Sequence, residues 1–433
     1  MSKFIINGAK KLRGEVIVNG SKNASVAVLF GSLINRGVTT LKNVPQIEEI
    51  NRLAEVLESV GVKIIRYKRT IIIYPPKRID LSHINNVSAQ KTRSIILTIG
   101  ALAGRLNNFA ITQAGGCKIG SRTIKPHIFA MEKFGVNIKT KKNKYIVDSK
   151  KLHKAQVVLY ETGDTVTENA LLAAAQCPGK SIIKMASANY MIQDLCYFLE
   201  KLGVKIKWTG AATIEVAGKK EFNKNIKYEI SEDPIEAMFF LSLAVTTNSK
   251  VTILRCPIQF LELELLKLEK MGLRYKIIKK YLAKNKHTEL ADILIEPSKL
   301  KALEDKIHAM PFPGINQDNL PFFVPIATQT QGKTLIHDWT YENRAIYYSE
   351  LNRLGANITL MDPHRVVVEG KTKLTGAEMI CPPALRPAAI ILVAMLAAHG
   401  KSILRNVYPI HRGYEKLEER LREIGADIKL END

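Results

Sequence analysis

Apolar and polar positions repeat one arrangement six times along the chain: an amphipathic stretch, a glycine, and then an alternating stretch. In the last copy Leu417, Leu421 and Ile424 fall on one helical face, whereas Glu419 and Arg422 face away. The repeated glycines, separated by 74, 68, 69, 83 and 70 residues, are Gly61, Gly135, Gly203, Gly272, Gly355 and Gly425. Such an internal period determines the architecture before any local pattern does. The chain is therefore predicted to contain six repeats of about seventy residues.

A second pattern precedes the amphipathic helix in each repeat. A glycine or small polar residue leads into alternation rich in β-branched residues, which predicts a turn followed by a strand. These segments are 37–41, 108–112, 179–183, 249–253, 332–336 and 400–404. Before most of them lies an apolar helix, such as 169–175 or 388–398, that we expect to be buried. Each repeat then reads as strand, buried helix, strand, outer helix and closing strands, and the repeated glycine suits a left-handed helix end.

Bulk composition limits the class of protein. A chain of 433 residues is expected to form at least two domains, and its 46% hydrophobic and 24% charged residues are ordinary for a globular protein. The longest apolar run, 388–398, is too short to span a bilayer, and the start of the chain lacks an apolar signal region. Five scattered cysteines without a Cys-x-x-Cys pair favour neither a zinc site nor a disulfide framework. We therefore expect a cytoplasmic protein without membrane insertion.

The formal net charge of +23 favours anionic partners. Much of the charge lies in two lysine-rich stretches, 139–154 and 276–287, which interleave lysine with apolar residues as exposed hairpins do. Solvated surface, or steering of an anionic substrate, is one interpretation of this charge. Nucleic-acid binding is the alternative, but no DNA- or RNA-reading motif accompanies the lysines, and no specific nucleic-acid partner is expected.

A glycine-rich segment, 114–122, holds the most conspicuous candidate for chemistry. Cys117 lies among three glycines and close to Lys118 and Arg122. Because cationic neighbours favour the thiolate, Cys117 is a candidate reactive thiol. The alternative is a surface cysteine on a flexible turn. The other four cysteines lie in apolar surroundings and are predicted to fill the core.

Several further residues are candidates for binding an anion. Ser21 is expected to cap the apolar helix 24–33, which would place Lys22 at a helix start that attracts anions. Arginines, which bind phosphate or carboxylate in bidentate fashion, occur at helix starts in several repeats. They are Arg93, Arg344, Arg386 and Arg412. Taken singly, Lys22 could be a solvent-exposed lysine and each arginine a partner in a surface salt bridge.

Asp318 lies in the loop 312–319, which enters the predicted buried helix 320–328. The carboxylate has two interpretations: it caps that helix, or it acts as a general base toward a hydroxyl in a cationic cleft.

Together these segments resemble the UDP-N-acetylglucosamine 1-carboxyvinyltransferase family, enolpyruvyl transferases that open peptidoglycan synthesis and share a sixfold fold with EPSP synthase. The matching segments are Ser-Lys-Asn-Ala at 21–24, Gly-Gly-Cys-x-Ile-Gly-x-Arg at 115–122, Glu-Asn-Arg at 342–344, Leu-Arg at 385–386 and Arg-Gly-Tyr-Glu at 412–415. The resemblance covers essentially the whole chain. It implies an α/β (α+β) fold, a two-domain inside-out α/β barrel of six βαβαββ-type repeats, three per domain. The domains would be 22–231, carrying the cysteine loop, and 1–21 plus 232–433, joined by a double crossover.

The resemblance also implies roles for individual residues. Phosphoenolpyruvate and a UDP-sugar would be the substrates, bound between the two domains, with no cofactor or metal and a monomer or weak homo-oligomer as the active form. The catalytic residues would be Cys117, which protonates the methylene carbon, Asp318, which takes the hydroxyl proton, and Lys22 and Arg412, which with Arg122 hold phosphoenolpyruvate. The other substrate contacts would be Asn23 at the sugar and Arg344 and Arg386 beside the cleft. The nucleotide would be contacted by Arg93, by the stretch Arg122, Thr123, Ile124, Lys125 and Pro126, and by Thr340.

The residues expected near the acceptor depart from the family pattern. The family's Arg-Glu-Pro-Glu stretch is 188–191, Ala-Asn-Tyr-Met, here, and Ala384 replaces an aspartate. The loop 312–318 is two residues longer, and Asp233-Pro234 replaces an Asp-Arg pair. Asp164 adds a negative charge to the segment that lines the diphosphate in the family, where it is expected to repel that group. One alternative is therefore an enolpyruvyl transferase that acts on another nucleotide or sugar-nucleotide acceptor. Another is a repeat protein that has lost catalysis and binds anions or nucleic acid.

Overall fold

The computed structural model describes residues 2–113, 115 and 123–432, which form 23 strands, 13 α-helices and four 3-10 helices. The strands are β1 Ser2–Asn7, β2 Arg13–Ile17, β3 Thr39–Lys42, β4 Lys63–Tyr67, β5 Thr70–Tyr74, β6 Asn108–Thr112, β7 Asn137–Lys141, β8 Lys144–Asp148, β9 Gln156–Val158, β10 Gly179–Lys184, β11 Lys205–Gly210, β12 Thr213–Gly218, β13 Ile226–Glu229, β14 Lys250–Cys256, β15 Arg274–Leu282, β16 Glu289–Glu296, β17 Ile307–His308, β18 Gly332–His337, β19 Ile358–Asp362, β20 Arg365–Gly370, β21 Glu378–Ile380, β22 Lys401–Arg405 and β23 Asp427–Asn432. The α-helices are α1 Lys22–Ser32, α2 Glu48–Ser59, α3 Asn86–Gln90, α4 Thr98–Leu102, α5 Lys125–Lys133, α6 Asp164–Ala175, α7 Tyr190–Leu202, α8 Pro234–Thr246, α9 Glu262–Lys270, α10 Phe323–Thr328, α11 Leu385–Ala397, α12 Tyr408–His411 and α13 Leu417–Glu423. The 3-10 helices are Arg93–Leu97, Ile258–Phe260, Leu320–Phe322 and Ala345–Leu354.

Contacts divide the described residues into two units. The first unit comprises residues 2–19 and 232–432, and the second comprises residues 20–113, 115 and 123–231. The chain therefore leaves the first unit after Asn19 and returns to it at Glu232. The domain limits inferred from the sequence, 22–231 and 1–21 plus 232–433, stay a prediction.

Three four-stranded sheets occur among the described residues of the first unit. Their strand orders are β21-β22-β1-β23, β15-β16-β14-β2 and β17-β18-β20-β19. In each sheet one edge strand is parallel to its neighbour, whereas the remaining pairs are antiparallel. The N-terminal strand β1 pairs with β22 and β23, so the first residues of the chain complete its last repeat.

The second unit repeats this sheet pattern with one exception. Two of its sheets have four strands, in the orders β11-β12-β10-β9 and β13-β3-β5-β4, and each has one parallel edge strand. The third sheet, β6-β8-β7, has three strands within the described residues. The predicted repeat of strand, helix, strand, helix and closing strands is therefore present, and this sheet shows it without the leading parallel strand.

The leading strands are exchanged where the chain passes between units. Strand β2 precedes α1 in the chain but pairs in parallel with β14, where Arg13 is opposite Lys250. Strand β13 precedes α8 but pairs with β3, where Ile226 is opposite Thr39. A parallel pair requires a crossover rather than a hairpin. The chain between β2 and β14 runs through the second unit, whereas β3 and β13 both belong to the second unit and are joined by that unit's own sequence.

Apolar helices form the interior of each unit. In the first unit all residues of α8 are buried, and most of α11 is buried as well. In the second unit α1 and α6 are buried along most of their length. Exposing any face of a helix that is apolar on all sides to water raises the free energy of the folded protein, which explains why these helices lie inside. The prediction of buried helices inside the sheets is confirmed. Across the described ranges, no helix is both long enough and apolar enough to cross a membrane.

The six repeated glycines all adopt positive φ, between 77° and 103°, as predicted for left-handed helix ends. Three helix predictions need adjustment. The amphipathic stretch before Gly355 forms a 3-10 helix, and in the last copy the α-helix spans Leu417–Glu423, so Ile424 is its C-cap residue rather than part of it. The predicted helix 320–328 is divided into a 3-10 and an α segment, because Pro321 and Pro325 lack the N–H groups that a continuous α-helix needs.

Candidate active site

Asp318 lies between two arginines in the first unit. Its Oδ2 accepts a hydrogen bond from Arg386 Nη2 at 3.2 Å, and its Oδ1 is 3.7 Å from Arg344 Nη1. The Asp318 side chain remains 22% exposed, whereas those of Arg344 and Arg386 are 1% and 8% exposed. Two guanidinium groups therefore favour the ionised carboxylate, which still faces solvent on one side. The helix-cap interpretation is wrong, because the 3-10 helix that follows has Asn319 as its N-cap residue and no side-chain cap.

Glu264 on α9 holds the loop on both sides of Asp318. Its Oε1 accepts hydrogen bonds from the Asn316 N–H at 3.1 Å and from Asn319 Nδ2 at 2.8 Å. Burial raises the pKa of Glu264 to about 6, although the bonds from Asn319 and Asn316 act in the opposite direction. The Asp318 N–H donates to Asn316 Oδ1 at 2.8 Å, which shapes the turn that carries the carboxylate.

Arg344 is held from several directions in the first unit. Its Nε and Nη2 donate to the two oxygens of Asp338 at 2.5 and 2.8 Å, and Nη2 also donates to the Gln317 carbonyl at 2.7 Å. The guanidinium lies 4.1 Å from the ring centre of Tyr341, and the Tyr348 hydroxyl donates to Asp338 at 2.5 Å. Burial alone would lower the pKa of Arg344, but Tyr348 and Asp338 raise it above its ordinary value. This arginine therefore presents a fixed cation to Asp318.

Arg386 is the second residue of α11 and is anchored by Tyr414. Its Nη1 donates to the Tyr414 hydroxyl at 3.1 Å. Burial raises the pKa of Tyr414, which keeps the phenol neutral, and the ring packs against Phe239 at 5.1 Å between centroids. The interpretation of Arg344 and Arg386 as surface salt-bridge partners is therefore wrong, since both are buried. The structure joins these two arginines and Asp318 in one cluster.

The other two candidates of the first unit flank this cluster along the chain. Arg412 is half-buried and ends α12, two residues before Tyr414. Thr340 is half-buried and precedes Tyr341, whose ring lies under Arg344.

Lys22 and Asn23 begin α1 in the second unit. Ser21 caps this helix, as predicted, because its Oγ accepts a hydrogen bond from the Ala24 N–H at 3.2 Å. Lys22 and Asn23 are half-buried, and Asn23 Nδ2 donates to the Tyr190 hydroxyl at 2.9 Å. The start of this helix therefore combines a cation, an amide and N–H groups that favour an anion.

Asp164 is the first residue of α6, and neutral groups donate hydrogen bonds to its carboxylate. Oδ1 accepts from the Ser187 hydroxyl at 2.7 Å, and Oδ2 accepts from Asn189 Nδ2 at 3.2 Å. One turn further, burial and then Asp164 raise the pKa of Glu168 well above its ordinary value, which favours the neutral acid. Because Asn189 lies in the segment that departs from the family pattern, the two departures are partners of each other.

His127 on α5 is neutral, and its hydrogen bonds define the tautomer. Asn169 Oδ1 accepts from the Gly100 N–H at 2.8 Å, and its Nδ2 donates to the Ile96 carbonyl at 3.1 Å, so the amide orientation is determined. The same Nδ2 lies 2.9 Å from His127 Nδ1, which must then be an unprotonated acceptor. The ring proton is on Nε2, 3.4 Å from Thr165 Oγ1.

The candidates for nucleotide binding lie near His127: residues 123–126 precede it in the chain, and the charge of Arg93 acts on its ring. Arg93 is half-buried at the start of its 3-10 helix, and its charge contributes to lowering the pKa of His127. Thr123 Oγ1 accepts from the Lys125 N–H at 3.1 Å and so shapes the start of α5. Thr123 and Lys125 are exposed, Ile124 is half-buried, and Pro126 is buried within the first turn of that helix.

Two predicted site residues, Cys117 and Arg122, lie outside the described residues. The other four cysteines are buried, as predicted for core residues, and burial raises their thiol pKa values, to about 12 for Cys177 and Cys381. In the described ranges, no group of three or more His, Cys, Asp or Glu side chains is arranged to hold a metal ion.

Four residues that hold the site side chains in place were not identified as site residues from the sequence. They lie in apolar or mixed segments that are typical of the core or of turns, and they are Asp338, Tyr348, Tyr414 and Asn169. The sequence does contain one indication of Asp338, because a carboxylate follows the alternating strand 332–337 directly. The Arg-Gly-Tyr-Glu segment contained Tyr414, but nothing in the sequence paired that residue with Arg386, 28 positions earlier.

The sequence model of one protein family, described as EPSP synthase (3-phosphoshikimate 1-carboxyvinyltransferase), matches residues 6–421. The chain belongs to the EPSP synthase family. Among relatives named UDP-N-acetylglucosamine 1-carboxyvinyltransferase, the protein of Treponema denticola is 31% identical over 433 residues, covering 99% of both chains. The protein of Trichlorobacter lovleyi, with the same name, is 32% identical over 435 residues, again covering 99% of both. The resemblance inferred from the motifs is therefore confirmed.

Two solved structures share the fold of this chain. The enolpyruvyl transferase NikO from Streptomyces tendae superposes with a TM-score of 0.86 at 21% identity, covering 100% of this chain and 99% of that one. An EPSP synthase from Acinetobacter baumannii superposes with a TM-score of 0.74 at 18% identity, covering 100% of both. Identities this low are informative about the fold alone. The predicted class, a two-domain α/β enolpyruvyl transferase fold, is confirmed.

Proposed function

We propose that this chain transfers the enolpyruvyl group of phosphoenolpyruvate to the 3-hydroxyl of UDP-N-acetylglucosamine and releases phosphate, the first committed step of peptidoglycan synthesis. One observation carries the proposal: relatives named for this activity match 99% of the chain at 31–32% identity. The cluster of Asp318, Arg344 and Arg386 supports it, because a carboxylate base held by cations suits a reaction on an anionic substrate.

The reaction needs an acid, a base and a cationic clamp. A proton adds to the methylene carbon of phosphoenolpyruvate, and the hydroxyl oxygen bonds to the neighbouring cation-like carbon as it loses its own proton. The methyl group formed in this way then gives back a proton, its C–H electrons restore the carbon–carbon double bond, and the carbon–oxygen bond to phosphate breaks with both electrons leaving on phosphate. Preorganised cations stabilise the charge that develops on the leaving phosphate.

The residue roles inferred from the resemblance are proposed on this basis. Cys117 supplies the proton to the methylene carbon, and Lys22, Arg122 and Arg412 hold phosphoenolpyruvate. Asp318 accepts the hydroxyl proton. Its partial exposure leaves an oxygen within reach of a hydroxyl, while Arg344 and Arg386 hold its orientation. Arg344 is itself fixed by Asp338, so the carboxylate does not have to reorganise when the substrate arrives.

Acceptor recognition is proposed for residues of the second unit and for Thr340. Asn23 contacts the sugar, and the nucleotide is held by Arg93, Arg122, Thr123, Ile124, Lys125, Pro126 and Thr340. The repulsion expected from Asp164 is reduced, since both of its carboxylate oxygens accept hydrogen bonds from neutral donors.

The setting of the enzyme is also proposed. The substrates belong to the cytoplasm, which agrees with four buried cysteines that remain free thiols. The surplus of positive charge steers two anionic substrates rather than a nucleic acid. We propose that residues 22–231 form one domain and residues 1–21 plus 232–433 the other, and that the enzyme acts as a monomer or weak homo-oligomer.

A phosphate-release assay tests the proposal. Purified protein is incubated with phosphoenolpyruvate and one acceptor from a panel that includes UDP-N-acetylglucosamine, other UDP-sugars and nucleoside monophosphates. Release that depends on UDP-N-acetylglucosamine is the expected result. A second candidate, enolpyruvyl transfer to another nucleotide acceptor, is favoured by the altered segment 188–191 and by Asp164. It would be supported by release with a different member of the panel alone.

A further inference from the structure

The first residue of α7, Tyr190, has a hydroxyl that is hydrogen-bonded to a side chain of another helix, α1. Tyr190 is 1% exposed, yet its hydroxyl accepts a hydrogen bond from Asn23 Nδ2 on α1 at 2.9 Å. Asn189, the N-cap residue of α7, accepts from the Tyr190 N–H at 2.9 Å through its Oδ1. The position of the tyrosine is therefore determined by its ring burial and by the cap that precedes it.

Asn189 also connects α7 to α6. Its Nδ2 donates to Asp164 Oδ2 at 3.2 Å, while its backbone N–H donates to the Ser187 hydroxyl oxygen at 3.2 Å. Ser187 in turn donates to Asp164 Oδ1 at 2.7 Å. Two consecutive residues, Asn189 and Tyr190, thus join the first turns of α6 and α1 inside the second unit.

The two helices joined by Tyr190 approach closely further along as well. A Cβ at Gly31 of α1 would lie 3.0 Å from Leu195 and 3.3 Å from Phe198, both on α7. Since Asn23 meets Tyr190 eight residues earlier on α1, the helices run in the same direction with their N-termini side by side. The hydrogen bond at their start is therefore backed by rigid apolar packing rather than by a loop.

We propose that Tyr190 is a positioning residue for Asn23 and thereby determines how tightly the acceptor binds. This inference rests on the proposed function, in which Asn23 contacts the acceptor sugar. The Tyr190 hydroxyl commits one Nδ2 hydrogen of Asn23 and selects one rotamer of its side chain. A side chain that is already ordered loses less conformational freedom when a ligand binds, so the acceptor binds more tightly than it would to a mobile amide.

The same geometry predicts which kinetic constants change. Replacing Tyr190 with phenylalanine keeps the buried ring and removes the oxygen that orients Asn23. The KM for the acceptor is expected to rise about five- to tenfold, the range of one ordinary hydrogen bond. The KM for phosphoenolpyruvate and kcat are expected to change less than about twofold, because the Tyr190 hydroxyl orients Asn23, which is assigned to the acceptor sugar.

The test uses the full chain and three variants: Tyr190→Phe, Asn23→Ala and the double variant. A matched control is Tyr228→Phe, which removes another buried hydroxyl that donates to Asp194 on the same helix, α7. Each protein is assayed by phosphate release with both substrates varied, using the acceptor that the wild type turns over. If Tyr190 acts through Asn23, the double variant has the acceptor KM of Asn23→Ala, because the second change finds nothing left to position.

Several kinetic results would show that Tyr190 does not position Asn23 for the acceptor. An unchanged acceptor KM in Tyr190→Phe, an equal rise in Tyr228→Phe, or independent addition of the two effects in the double variant overturns the inference. The same holds if the KM for phosphoenolpyruvate rises in parallel. A wild type that turns over UDP-N-acetylglucosamine while Tyr190→Phe is normal rejects the inference and keeps the proposed function. A wild type that turns over no acceptor rejects both.

Discussion

The neutral state of His127 predicts a measurable dependence of stability on pH. Burial first, and then the charge of Arg93, lower the pKa of this ring from 6.5 to about 4. The bond from Asn169 Nδ2 to Nδ1 leads to the same state independently, since a protonated Nδ1 would face a donor. Between pH 6.5 and 4, therefore, the His127 ring is protonated in the unfolded chain but largely neutral in the folded protein.

The difference between the folded and unfolded pKa of His127 determines how the free energy of unfolding changes with pH. Because the folded pKa lies below the unfolded value, this contribution to stability is fully present above pH 6.5 and is lost as the pH falls toward 4. Between pH 7.5 and 5.5 the unfolded imidazole takes up nearly one proton and the folded one almost none. With about 1.36 kcal/mol per pKa unit, the free energy of unfolding falls by about 1.3 kcal/mol from this residue alone.

Comparison with His127→Gln isolates that contribution. The glutamine keeps an acceptor and a donor at the same position and does not titrate, whereas all other titrating groups are common to both proteins. The chain's two tryptophans, Trp208 and Trp339, lie in different units, so a Trp339→Phe background leaves Trp208 to follow the unit that contains His127. Urea unfolding is measured by fluorescence at pH 7.5 and 5.5. An equal loss of stability in the two proteins over this range would contradict a lowered pKa of His127 in the folded state.

Three further predictions concern the chemistry. Asp318→Ala is expected to bind phosphoenolpyruvate normally in calorimetry but to lose turnover, and near-normal turnover would remove its role as base. Asp338→Asn removes the buried bidentate carboxylate that holds Arg344, so the unit is expected to lose about 3 kcal/mol in urea unfolding and kcat is expected to fall. The control is Glu378→Gln, a change at an exposed ion pair, and equal effects of the two changes would contradict this prediction. An epoxide phosphonate such as fosfomycin is expected to alkylate Cys117 and spare the four buried thiols, and peptide mass mapping that finds Cys117 unmodified after inactivation would count against the reactive thiol.

Periodicity accounts for most of the fold. The six glycines could be identified as left-handed helix ends because only a residue without a Cβ adopts that conformation at little cost, and all six adopt it. The all-apolar segment that forms α8 could be placed in the interior because it offers no face to water. Where local chemistry competes with the pattern, as at Pro321 and Pro325, the predicted continuous helix divides in two.

Pairings between distant segments were beyond the reach of the sequence. Strand β2 lies next to β14 rather than next to β3, and no local pattern distinguishes those two partners. Asp318 was a candidate base or a helix cap. The structure excludes the cap, because Asn319 is the N-cap residue, and it pairs the carboxylate with Arg386, 68 residues later. Tyr190 and Asn23 are 167 residues apart, so their hydrogen bond has no signature along the chain.

The features that could be predicted from the chain are those that depend on neighbouring residues: the repeat, its helices and strands, the burial of its apolar segments, and the motifs that resemble the family. Local backbone preferences and hydrophobic periodicity act over one or two turns or strands, and the chain records them directly. The contacts between polar side chains, as in the clusters around Asp318 and Asp164, became apparent in the folded molecule alone. Those contacts depend on the packing of whole helices, because a hydrogen bond forms only when its donor and acceptor are placed within about 3 Å of each other.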